Sequence, residues 1–264
     1  IDAGKRFLPV NMPTDFIEPD HQNDFTFNIN LKNPRPLFEI FTPSQVFREN
    51  TSLSGFFKNG GQDLFIEGIL PQFLVSDKLF TDLTFTMMAG KDSVSLTGKL
   101  DRLQFNSLNE LKNIKLGLVL VPDRAAMSFA WNDVGSMTSK GRIEPTIRFE
   151  RGSGVWPKME VNLEETAVTY KDTLWEMDAF NMSIDKSIIR FDTLSIRHNQ
   201  ESLMVNGSIS NVPEDTLYLE FTNLNMAHIE TFTGSNKRFS FAGVLDGHTK
   251  IFDIYDKGLF LADI

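Results

Sequence analysis

The sequence predicts an all-β protein whose strands pair antiparallel, and three observations carry that expectation. Period-two alternation of apolar and polar residues dominates, the mark of strands with one buried and one wet face. Turn chemistry separates the runs, as in GKD at 90–92, PDR at 122–124 and VPEDT at 212–216. Helical pattern is confined to two short pieces, near 36–41 and 224–232. Two short helices cannot cover the apolar faces of so many strands. Those faces must be buried against each other, as a sandwich, a barrel, or a long sheet curled around an apolar trough.

The strands follow in order along the chain. Phe25, Phe27, Ile29 and Leu31 alternate with Thr26, Asn28 and Asn30; Leu83, Phe85 and Met87 come next, then Val94, Leu96 and Leu100, then Ile114, Leu116, Leu118 and Leu120. The pattern continues through Met159, Val161 and Leu163, through Phe180, Met182 and Ile184, and through Leu203, Val205 and Ile209, to Leu217, Leu219 and Phe221. Between Ile189 and Ile196 the parity slips, because Phe191 is followed by Leu194 three residues on, and a tight turn or bulge near Asp192 and Thr193 accounts for it.

One arrangement occurs twice. Phe27, Ile29, Leu31 and Asn33 align with Leu217, Leu219, Phe221 and Asn223, and Phe41 and Thr42 align with Phe232 and Thr233 after one inserted residue. Each copy then enters an apolar-x-Gly-x-apolar strand, Leu53, Gly55, Phe57 in the first and Phe241, Gly243, Leu245 in the second, with Gly60 or Gly247 close behind. The glycine-centred pattern recurs at Gly68, Gly98 and Gly207. Glycine weakens a strand, so its repeated use predicts bends or close backbone approach where a sheet curves. The copies divide the chain into a leading segment at 1–24, a first β lobe at 25–150 and a second at 151–264.

Composition narrows the function classes. A chain of 264 residues with 41% hydrophobic content buries a substantial core. The 35 acidic against 26 basic residues give a net charge of -9, which repels a phosphate backbone, so nucleic acid is not an expected partner. With no cysteine, disulfides, cysteine-based metal sites and thiol nucleophiles are excluded. The aromatic residues are 24 Phe against three Trp and three Tyr. Sugar platforms and the girdles of membrane barrels favour Trp and Tyr, whereas Phe suits either an ordinary core or a wall facing hydrocarbon.

The run YKDTLWEMDAFNMSIDKSIIRFDTLSIRHNQESLMVNGSIS, followed by TLYLEFTNLNMAHIETF and FSFAGVLDGHTKIFD, resembles the TamB branch of the AsmA-like envelope proteins in its Bacteroidetes-type form. The resemblance is strongest over 155–264 and extends through the repeat over 25–105. It implies a protein anchored in the inner membrane by an N-terminal helix, crossing the periplasm and ending near a TamA-like outer-membrane barrel. It implies also a sheet curled into a trough, the β-taco, whose apolar inside passes phospholipid acyl chains. This chain would be one internal segment of that trough, with anchor and barrel contact in regions outside it; GLFLADI, which begins an apolar strand at the end of the sequence, fits that expectation.

Burial of hydrocarbon is worth about 0.8 kcal/mol per methylene, so a continuous apolar stripe holds an acyl chain while the head stays at the rim. Movement along the stripe requires interchangeable Phe, Leu, Ile and Met rather than sharp polar recognition. Phe27, Ile29, Leu31, Phe85, Leu118, Met182, Leu217, Leu219 and Phe221 are the expected groove-lining positions, each of which also suits an interdigitated core. The expectation is a non-enzymatic segment for lipid transport and outer-membrane biogenesis. The alternative is a packed β-sandwich serving as a structural or interaction module for envelope proteins. A membrane barrel or sugar-active enzyme fits less well.

No catalytic, cofactor or metal constellation stands out. His21, His198, His228 and His248 show no paired ligand spacing and read as surface or turn residues. Ser183 and Lys186 form a lone SxxK on an alternating strand rather than at a helix start. Glu164 and Glu165 are adjacent, so on a strand they point to opposite faces. GGQD at 60–63 and GSG at 152–154 read as hairpin turns rather than phosphate cradles. Asp92-Ser93-Val94, Asp172-Thr173-Leu174, Asp192-Thr193-Leu194 and Asp215-Thr216-Leu217 match an O-glycosylation pattern of periplasmic Bacteroidetes proteins, but an Asp turn leading into a Thr-rich strand writes the same letters.

Overall fold

The computed structural model describes residues 24–32, 45–47, 50–58, 63–75, 78–105, 109–134, 138–152, 156–228, 242–253 and 259–263. The chain is all-β, its strands pair antiparallel, and they divide into two compact units that meet at Lys140 and Gly141 in the sequence.

In the first unit β1 (Phe25–Leu31) lies against β3 (Thr51–Lys58), and β4 (Asp63–Val75), β5 (Lys78–Ala89), β6 (Val94–Gln104), β7 (Glu110–Val121) and β8 (Arg124–Val134) follow β3 as a meander. The short β2 (Gln45–Phe47) pairs with the second half of β4, along the edge whose first half takes β3. The turns are those the sequence predicts. Pro122 and Asp123 bridge Val121 and Arg124, with Asp123 left-handed at φ 59°, and the Gly90 N–H donates to the Ser93 carbonyl at 2.8 Å. A further strand, β9 (Thr138–Ile143), follows β8.

Directly opposed residues of an antiparallel pair share a face, so the registers define rows across the sheet. One apolar row runs Phe27, Gly55, Ile66, Met87, Leu96, Leu118, Met127; the next runs Ile29, Leu53, Gly68, Phe85, Gly98, Leu116, Phe129. The polar rows between them are rich in Ser and Thr.

The ladders from β4 to β7 all skip one row. Leu70 opposite Leu83 is followed by Gln72 opposite Thr81, Leu83–Leu100 by Thr81–Arg102, and Leu100–Ile114 by Arg102–Lys112. Of the skipped residues, Pro71 has no N–H to give, Asp82 and Asn113 are left-handed at φ 54° and 51°, and Asp101 lies between them. The Asn113 amide instead donates to the Asn132 carbonyl on β8 at 2.8 Å. Beyond this line the apolar residues change parity in all four strands, to Phe73, Phe80, Leu103 and Leu111. Phe73 and Leu111 are buried together with Leu100 and Ile114, so the shift keeps the apolar side continuous. This is the parity change expected near Asp192, repeated across four strands.

In the second unit β10 (Thr146–Glu150), β11 (Lys158–Leu163), β14 (Phe180–Asp185), β15 (Ile188–His198), β16 (Glu201–Ile209), β17 (Thr216–Asn225), β18 (Val244–Phe252) and β19 (Leu259–Asp263) pair in that order. The hairpin of β12 (Thr166–Tyr170) and β13 (Thr173–Met177) attaches through β13 to the far end of β15. Its turn residues Lys171 and Asp172 are both left-handed, at φ 48° and 63°, as a twisted two-residue hairpin requires.

The expected slip in β15 is a bulge between Phe191 and Leu194. Asn206 on β16 satisfies it, donating from its amide to the Asp192 carbonyl and, at 3.0 Å, to the Thr193 hydroxyl. A second bulge lies between Phe221 and Leu224, where Asn223 is left-handed at φ 48° and its N–H donates to Asp246 Oδ1 at 2.8 Å.

That second bulge corrects the helix expected at 224–232. The strand does not stop at Asn223: Leu224 and Asn225 rejoin the ladder opposite Leu245 and Val244. Only Met226–His228 form a helical turn, started by the Asn225 side chain accepting from the Ala227 N–H at 3.0 Å; residues 229–232, and the whole of the piece at 36–41, lie outside the described residues.

The repeat holds in order but not in register. β1 pairs with β3, and β17 with β18, each across an intervening stretch of chain. In the first copy Phe27 faces Gly55; in the second Gly243 precedes β18 at φ 114°, and Phe221 faces Gly247 instead. Asn33, Phe41, Thr42, Gly60, Phe232, Thr233 and Phe241 lie outside the described residues.

Candidate functional site

The apolar face of the first unit is closed at one end and accessible along the rest. Leu100, Leu111, Ile114 and Trp131 are buried at the closed end, where the Phe73 and Phe80 rings stack at 4.6 Å between centroids. Elsewhere the face is half-buried, as at Leu53, Phe85, Leu116 and Leu118, or open, as at Ile29 (41% exposed) and Met127 (44%). Ile114, at 1%, is the single large side chain among the described residues that is fully buried. A filled two-layer core at ordinary packing density would hold many such residues.

Glycine shapes this face by admitting phenylalanine. A Cβ on Gly68 would lie 2.3 Å from the Phe85 ring, and one on Gly55 would lie 3.0 Å from the Phe27 ring and 2.1 Å from the Phe65 carbonyl oxygen. The rings therefore lie down over glycine backbone on neighbouring strands, which is the close approach that the glycine-centred patterns predict.

The nine groove-lining candidates fall on two such faces. In the first unit Phe27 and Leu118 share one row, Ile29 and Phe85 share the next, and Leu31 follows on the same side of β1. In the second unit Met182 and Leu217 share the row Val161, Met182, Phe191, Gly207, Leu217, Ile251, while Leu219 opposes Val205 and Phe221 opposes Leu203. Leu217 is closed off at 8% exposure, whereas Met182, Leu219 and Phe221 are half-buried.

Sequence spacing missed one cluster. Trp175, His198 and His228 meet with ring centroids 5.4, 5.4 and 5.5 Å apart. His198 Nδ1 contacts the Leu174 carbonyl at 2.7 Å and its Nε2 contacts the Asn199 amide at 3.0 Å. Glu201 Oε2 accepts from the Asn225 N–H at 3.0 Å and bonds His228 Nδ1 at 2.9 Å. The two histidines are thus neither isolated nor simple turn residues: they tie the helical turn to the β15–β16 hairpin. Nothing in the sequence spacing places His228 against the β15–β16 hairpin.

Partial burial pushes the Glu201 carboxyl up, but the hydrogen bonds from Asn225 and His228, with the charges of His228 and His198, outweigh it and hold the group below its ordinary value of 4.5. A carboxyl depressed by folding contributes stability that is present above its unfolded value and lost as pH falls through the folded one. The second unit is therefore expected to weaken as pH drops below 4.5, and Glu201→Gln to flatten that slope in denaturant midpoints measured against pH. An unchanged acid slope in the variant would assign the loss to other carboxylates.

The remaining motifs are structural. Glu164 and Glu165 sit in the link between β11 and β12 rather than on a strand, and Ser183 lies in β14 with Lys186 in the following turn. Thr193 and Thr216 donate their hydroxyls to the carbonyls of Asp192 (2.6 Å) and Glu214 (3.1 Å), which is local turn chemistry. His248 is exposed on β18, while His21 and most of GGQD and GSG lie outside the described residues. Among the described residues no group of three metal-ligating side chains assembles, and no helix is long and apolar enough to cross a membrane. No family profile, no curated protein and no solved structure matches the chain.

Proposed function

We propose that this chain is a non-enzymatic lipid-handling segment whose antiparallel sheets offer an apolar, groove-like face to phospholipid acyl chains. The observation that carries this reading is the accessible apolar side itself, with continuous rows of Phe, Leu, Ile and Met left half-buried and only Ile114 fully enclosed among the described residues. Interchangeable apolar side chains, interrupted by glycines, hold hydrocarbon without fixing one position along the row. With the resemblance to TamB, strongest over 155–264, the reading becomes a segment of a periplasmic, inner-membrane-anchored AsmA-like protein that passes lipid toward the outer membrane near a TamA-like barrel.

Mass spectrometry of the purified chain after mild organic extraction tests it: co-purifying or loadable phospholipid is expected. Leu219→Glu places a charge on the half-buried face of β17. It is expected to reduce loading at least about tenfold, because a carboxylate set against hydrocarbon loses its solvation. Undiminished loading by a folded variant would show that Leu219 does not line the lipid path.

One observation favours a second reading, an interaction module for envelope proteins. β19 pairs only with β18 among the described residues, and its Leu259 and Leu261 are exposed, which suits addition of a partner strand. Failure to load any lipid, with capture of an outer-membrane protein through β19, would decide for it.

A further inference from the structure

The opposite, polar face of the first unit holds the second candidate. It bears a depression of about 620 Å³, whose lining includes Ser52, Glu67, Thr84, Thr97, Lys99 and Lys115. The volume falls within the range of small-ligand sites, roughly 300–1,000 Å³. The registers place Lys99 directly opposite Lys115, with Thr84 facing Lys99 from the other side. Two ammonium groups at opposed positions of neighbouring strands repel each other, and a sheet normally avoids the pairing.

The same pair of strands shows how this protein neutralises such a pairing when no ligand is needed. Arg102 also lies directly opposite Lys112, in the first row beyond the interruption in the ladder. There Glu110 stands 3.7 Å from Arg102 and 2.7 Å from Lys112, and Asp133 stands 3.2 Å from Lys112. The hydrogen bonds that Lys112 donates to Glu110 and then to Asp133 hold its ammonium above its usual range. Lys99 and Lys115 have no carboxylate within ion-pair distance among the described residues. Glu67, the carboxylate that lines the depression, stands in the adjacent row on β4, where it accepts from the Ser54 hydroxyl at 2.8 Å and forms no ion pair with either lysine.

We propose that Lys99 and Lys115, with the flanking threonine hydroxyls, form a binding site for a phosphate ester. Two lysines at directly opposed strand positions, with hydroxyl donors beside them, match the charge and the oxygens of a phosphate, and the anion removes the repulsion between the lysines. In a chain of net charge -9 the attraction must come from this pair, since the overall field repels anions. Lys99 and Lys115 occupy strand positions of the opposite parity to Leu96 and Leu118, so their proposed role does not depend on the acyl-chain reading.

The test follows the side-chain ammonium signals of Lys99 and Lys115 by NMR while the chain is titrated with inorganic phosphate, glycerol 3-phosphate and short-chain dihexanoyl phosphatidylglycerol. Saturable shifts at both lysines are expected, weakening as salt is raised. The double variant K99Q/K115Q is expected to bind at least about tenfold more weakly, and K99R/K115R to retain binding. A response to the phospholipid alone assigns the site to a lipid headgroup, while a response to all three assigns it to phosphate esters generally. No shift at either lysine with any probe, or equal binding by K99Q/K115Q, overturns the proposal. Because the phosphate arm contains no acyl chain, its failure leaves the lipid-loading result standing.

Discussion

Gly207→Ala is expected to destabilise the second unit severely. Gly207 lies inside β16 at φ 106°, a conformation whose strain alone costs a residue with a side chain about 1–3 kcal/mol. A Cβ there would also lie 2.2 Å from the Thr216 carbonyl oxygen, which is backbone of β17 and cannot swing aside as a side chain would. The variant must therefore part β16 from β17 at the row where Phe191, Gly207 and Leu217 meet. Urea unfolding followed by Trp175 fluorescence, with Trp131 and Trp156 replaced by Phe, reads this unit. The parent with the same two Phe replacements is the reference. A midpoint unchanged from that parent would show that Gly207 is dispensable.

Ile114→Ala is the corresponding change in the first unit. Ile114 is fully enclosed beside Leu100, at the end of the apolar face that also holds Phe73, Leu111 and Trp131. Removing its side chain leaves a cavity in the best-filled part of the unit, and a loss of about 2–5 kcal/mol is expected. Val119, on the same strand but 48% exposed, provides the contrast: Val119→Ala is expected to cost less than about 1 kcal/mol. Unfolding monitored by Trp131, with Trp156 and Trp175 replaced by Phe, separates the two. A loss at Ile114 no larger than that at Val119 would mean that this end contributes little to the stability of the unit.

The two variants probe features that differ in how far the sequence announced them. Alternation in β5, β6 and β7 was plain, because period-two patterning records a one-sided environment residue by residue. The bulge at Asp192–Thr193 was legible for the same reason: an apolar run that resumes out of phase must be returned to its face. The matching interruption at Pro71, Asp82, Asp101 and Asn113 was harder to read, since it consists of single residues far apart in the chain that become one line only once the strands pair. The start expected for the helix, at Leu224, was two residues early because a left-handed asparagine can end a strand or bulge it, and the choice depends on whether a partner strand, here β18, is present to resume the ladder.

The sequence by itself determined the all-β class, the turns, the faces of the strands and the glycines that admit Phe rings, because each rests on local sterics or on a period of two. Tertiary structure alone decided which rows align, where the apolar side is closed, that His198 and His228 share Trp175, and that Lys99 stands directly opposite Lys115. Those facts depend on register between distant strands. Register is set by the summed fit of many weak cross-strand contacts, and no single residue carries it.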